Sequence, residues 1–80
     1  MIHMQGKSRL APEEVLGRLR KFFGKDGQGL ELTEEGPLCL TFTGGGGYVT
    51  ASVCLEGEQT KVDLVSREWE YQVKEFLSQI

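Results

Sequence analysis

The spacing of apolar residues changes twice along this chain, from a helical period to a strand period and back, and few folds satisfy that order. Between Pro12 and Phe23, the residues Val15, Leu16, Leu19, Phe22 and Phe23 gather on one stripe at the 3.6-residue spacing of an amphipathic helix. Pro12 suits the first helical position, where its missing N–H has no partner to lose, and Glu13 and Glu14 complement the positive end of the helix dipole. Gly24 is a natural stop.

From Leu30 the period becomes two. Leu30 and Leu32, then Leu38, Leu40 and Phe42, then Val49, Ala51, Val53 and Leu55, and finally Val62 and Leu64 alternate with polar partners. Turn-forming residues separate the four runs at Gly36-Pro37, Gly44 to Gly47, and Glu56-Gly57-Glu58. Connections this short imply antiparallel neighbours. The helical period then returns, with Trp69, Val73, Phe76, Leu77 and Ile80 on one stripe and Ser66 in the position of an N-cap.

The expected architecture is therefore α+β and two-layered. It runs helix, four antiparallel strands, helix, with both helices on one face of a meander sheet. Residues 11–80 form this single domain, and residues 1–10, which show no apolar period, are expected to be a mobile leader. At 80 residues there is room for one small core.

Charge is unevenly placed. Six basic residues against two acidic ones give +4 over residues 1–25, while three basic against ten acidic give −7 from Asp26 onward. Contact between a basic first helix and acidic neighbours within the same chain accounts for the asymmetry. The alternative is an anion-responsive patch built from Arg18, Lys21 and Lys25, addressed to a phosphate-rich ligand, RNA or an anionic membrane surface. The sequence pI near 5.1 argues against a dedicated nucleic-acid binder, whose phosphate contacts need a strongly positive domain.

No run approaches the roughly 18 apolar residues of a membrane span, and the first residues lack the apolar segment of a secretory signal. A cytoplasmic location is the expectation. Cys39 and Cys54 have fourteen residues between them and, with His3 the lone histidine, make neither a redox pair nor a zinc site. No metal or other cofactor is expected.

The four consecutive glycines are not a phosphate loop, because they join two strands and no helix with a Lys-Ser/Thr pair follows. They read as a hairpin connection. Pairing Thr43 with Tyr48 across it sets Cys39 opposite Ser52, with Cys54 two residues further along.

The polar side of the central strands is the most unusual feature. Cys39, Thr41, Thr43, Tyr48, Thr50, Ser52 and Cys54 contain no formal charge, although 26% of the chain is charged. With both helices on the opposite side, this face stays open. An ordinary solvated face rich in threonine for its β preference is the plainer account. The sharper expectation is a non-catalytic interaction module that binds a protein partner, or a second copy of itself, through Thr41, Thr43, Tyr48, Thr50 and Ser52. A small enzyme with a carboxylate-based site, drawing on Glu34 or Glu35, is the third possibility, and nothing in the sequence buries those residues to tune them.

Overall fold

The helix α1 (Pro12–Phe23) begins and ends where its residues direct. Pro12 opens it, and beyond Phe23 the Gly24 N–H still donates to the Arg20 carbonyl at 2.9 Å. Val15, Leu16, Leu19 and Phe23 are buried, so the apolar stripe is the buried one. The computed structural model describes residues 1–80.

After α1 the chain forms β2 (Glu31–Glu35), β3 (Cys39–Gly44), β4 (Gly47–Glu56) and β5 (Gln59–Arg67), then α2 (Glu70–Ser78), while β1 (Ile2–Ser8) precedes them all. The strands make one antiparallel sheet in the order β1-β5-β4-β3-β2. Strands β2 to β5 are the expected meander. The leader is a correction: residues 2–8 are a fifth strand, paired along β5 from Ile2 opposite Ser66 to Ser8 opposite Thr60. Its period escapes notice because the inward positions after Met4 are Gly6 and Ser8. A Cβ on Gly6 would stand 2.7 Å from Leu77 Cδ2, so α2 fills that space instead.

Both helices lie on one side of the sheet. The rings of Phe22 on α1 and Phe76 on α2 meet edge to face with centroids 5.5 Å apart, and Phe23 approaches both Phe42 on β3 (5.8 Å) and Phe76 (5.9 Å). Leu40, Phe42, Val49, Ala51, Val53, Val62 and Leu64 complete the core beneath them. Leu32, Leu38 and Leu55 share the inward parity but are exposed, Leu32 in a hollow beside Arg20 and Gly24 at the end of α1.

The β3–β4 hairpin is tighter than four glycines suggest. Gly44 pairs with Gly47, and Gly45 and Gly46 form a two-residue turn with φ of 58° and 80°, the left-handed geometry that matches the twist of a hairpin. Gly47 is needed for another reason, since a Cβ there would fall 2.0 Å from the Arg67 carbonyl oxygen.

Ser66 does not cap α2, because β5 continues through Arg67 and Ser66 is buried in the ladder between Ile2 and Val49. The chain reverses at Glu68 (φ 72°), and no side chain caps the first-turn N–H groups of α2; the Glu70 carboxylate instead accepts the N–H of Trp69, the residue just before the helix, at 2.9 Å. The Trp69 indole donates to the Gly44 carbonyl at 2.9 Å, tying the start of α2 to the hairpin. No helix is long and apolar enough to cross a membrane.

Candidate functional site

Strand alternation sends to the outer face every second residue of the strands whose other residues build the core. The register places these side chains in rows. Glu31, Thr43, Tyr48 and Arg67 form one row, and Glu34, Thr41, Thr50, Val65 and His3 form the next. Cys39, Ser52, Asp63 and Gln5 follow, then Cys54, Lys61 and Lys7. The five sheet residues expected to bind, Thr41, Thr43, Tyr48, Thr50 and Ser52, are thus brought together on two adjacent central strands.

A bulge between Leu32 and Glu34 turns Thr33 onto the same face, where its hydroxyl lies 3.1 Å from that of Thr43 and 3.3 Å from the Thr41 carbonyl. Thr41 and Thr50 join their hydroxyls at 3.3 Å, and the Tyr48 hydroxyl donates to the Met1 sulfur at 3.1 Å. Each of these hydroxyls has at least one partner within the chain. A surface that covered them would therefore not have to replace each bond that water now makes, which removes much of the usual penalty for burying them. Val65 adds an apolar side chain to the centre of the strip.

Charge is confined to the margins. Glu31 and Glu34 stand on β2 at one side, and Arg67, Lys61 and Lys7 on β5 and β1 at the other. Asp63 is held by His3 at 3.1 Å and Lys7 by Glu56 at 3.1 Å, whereas Glu31, Glu34 and Arg67 have no ion pair within the chain. A shallow depression of about 440 Å³ lies beside the hairpin, between Thr33, Glu34, Tyr48 and Arg67. Its carboxylate, Glu34, is exposed. Glu35 is exposed as well and is bonded to Arg20, so neither glutamate is buried as acid–base tuning by desolvation would require. Cys39 and Cys54 are free thiols exposed on the face, with Cys39 opposite Ser52 as the pairing of Thr43 with Tyr48 predicts.

The three basic residues of the first helix separate. Arg18 and Lys21 line a cleft of about 380 Å³ between α1 and α2, floored by Phe22, Phe76 and Ile80. Lys25 stands elsewhere, in a hollow beside β2 with Arg20. Arg18 pairs with Glu14 one turn away at 3.6 Å, and Arg20 pairs with Glu35, so the basic helix is partly answered by acidic residues of its own chain. Lys21 has no carboxylate partner. The apolar floor of this cleft was not foreseeable from the helix alone, because Ile80 joins Phe22 only through the packing of α2.

No protein-family model and no curated protein matches this chain. Its functional interpretation rests on the geometry of these two surfaces.

Proposed function

We propose that this chain is a non-catalytic interaction module that holds a protein surface, a partner's or its own, against the outer face of its sheet. One observation carries the proposal: a neutral strip of threonine, serine, valine and tyrosine, its threonine hydroxyls bonded to one another and its tyrosine hydroxyl to Met1, lies uncovered at the centre of the sheet while both helices occupy the other side. Depletion of charge at the centre with charge at the margins is the composition of protein interfaces.

Backbone chemical shifts test this directly, recorded as the protein is concentrated and as it is mixed with cell extract. The amides of Thr41, Thr50 and Ser52 should move, and in a Thr50→Arg variant of unchanged circular dichroism they should stay still. Unmoved outer-face amides under both conditions would overturn the proposal.

The α1–α2 cleft favours a second function, binding of a small anion with an apolar part. Arg18 and Lys21 supply the charge and Phe22, Phe76 and Ile80 the apolar contact, in a volume within the range of small-molecule sites. Lys25 lies apart from them, so a continuous basic track for RNA is not assembled. Phenyl phosphate should shift the Phe22 and Gln79 amides, less so as salt rises and not at all after Lys21→Ala. Shifts that are absent, or indifferent to salt, would dismiss this function.

A further inference from the structure

We propose that the occupant of the outer face is a second copy of this chain, placed by a two-fold axis that runs along β4. This rests on the outer face being an interaction surface, and it adds the partner and its orientation. A face-to-face pair can be related by a two-fold axis along the strands or across them. An axis across the strands sets β2 against β2 and brings the Glu31 and Glu34 margins together. An axis along the central strand instead sets the β2 margin of each copy against the β5–β1 margin of the other. Like charges part and opposite charges meet, which is the requirement of a self-complementary patch.

The charges concerned are those left without partners in the single chain. Glu31 and Arg67 share a row, with the two strands of Thr43 and Tyr48 between them, and have no ion pair of their own. Exchange of sides brings each close to the other's counterpart. Glu34, also without an ion pair, comes opposite His3 in the second row, although His3 already holds Asp63 of its own chain.

The area is also suitable. The outward positions in the four rows, at about 4.8 Å between strands and about 6.8 Å between rows, cover roughly 520 Å² per partner, just under the roughly 600–1,000 Å² of standard specific interfaces and in the range of weak, concentration-dependent pairs. Sheets in such packing lie about 10 Å apart, and their interleaved side chains would fill that layer.

An axis along β4 makes each outward residue of β4 meet its own counterpart. Thr50, Ser52 and Cys54 then lie near Thr50, Ser52 and Cys54 of the second copy, whereas the two copies of Cys39, one strand off the axis, lie on opposite sides of it.

The test combines sedimentation equilibrium of the full chain with thiol crosslinking by a short bismaleimide. A concentration-dependent dimer should form, and Thr50→Arg should raise its dissociation constant at least about a hundredfold by setting two cations against each other at the centre. Glu31→Arg or Arg67→Glu alone should weaken it about tenfold, because each change counts twice in a symmetric pair, and the two together should restore it. Cys39→Ser should crosslink efficiently through Cys54, and Cys54→Ser should not.

A monomer at every concentration would overturn the second copy as occupant, leaving the outer face to be judged by its chemical shifts. A dimer indifferent to Thr50→Arg would likewise overturn the second copy as occupant of this face, and would point to pairing at the free edge of β1. A dimer broken by Thr50→Arg that crosslinks equally well through Cys39, or fails to recover in the charge swap, would overturn the orientation alone.

Discussion

The two faces of the sheet are built from the same strands by alternate residues, yet they answer to different demands. On the inner face Val49, Ala51, Val62 and Leu64 are buried beneath two helices, and their neighbours Phe23, Phe42 and Phe76 join them through one aromatic cluster. On the outer face Thr41, Thr50 and Ser52 touch mainly their own cross-strand partners. The inner face is under obligation to the fold, since each side chain removed leaves a cavity that the helices cannot collapse to fill. The outer face carries little of that obligation. Its lack of central charge is therefore a property that folding does not demand, and for that reason it bears on function.

The difference can be broken from the inside. Phe76→Ala removes the ring that joins the two helices and should lower stability by about 3–5 kcal/mol in urea titration, close to the whole margin of a small domain. A loss below about 1 kcal/mol would mean that the helices do not share the face. Gly47→Ala comes next, because its methyl group would press on the Arg67 carbonyl and the fold must shift to admit it; overpacking of this kind costs about 1–3 kcal/mol.

The outer face should respond far less. Thr50→Ala in the dilute, monomeric protein should change stability by no more than about 1 kcal/mol, the worth of one cross-strand hydroxyl bond. A loss as large as that of Phe76→Ala would erase the distinction between the faces. The smallest effect sharpens it from outside the sheet: Gly17 points into open space on the exposed side of α1, so Gly17→Ala should stabilise the protein by about 0.5–1 kcal/mol through helix propensity alone.

Periodicity carries a fold best where the inward positions are large. Val15 to Phe23, Leu40 with Phe42, Val49 to Val53, and Val73 with Phe76 all mark their faces, and from them follow the two helices, the meander, the shared helix layer and the pairing of Thr43 with Tyr48. Periodicity is silent where tertiary packing fills the space instead. Residues 2–8 form a strand whose inward side ends in Gly6 and Ser8, and only the arrival of Leu77 above Gly6 completes that layer. Ser66 has the chemistry of a helix cap, but the β5 ladder claims it and α2 begins without a side-chain cap.

The candidate site divides in the same way. The neutral face follows from alternation within single strands, so its members are adjacent in structure as they are regular in sequence. The α1–α2 cleft needs Arg18, Lys21 and Ile80 to meet across most of the chain's length, and no local pattern encodes that meeting. Lys25 follows Lys21 by one helical turn in spacing, yet α1 has ended at Phe23, and the chain carries Lys25 to a different hollow.

Amide chemical shifts followed over a wide range of protein concentration compare the two faces within one experiment. Movement confined to Thr41, Thr50, Ser52 and Val65, with Val15, Phe42 and Val73 unchanged, is the expected result. Movement confined to the Ile2–Ser8 edge or to the helices, with the threonine strip silent, would contradict the assignment of binding to the outer face.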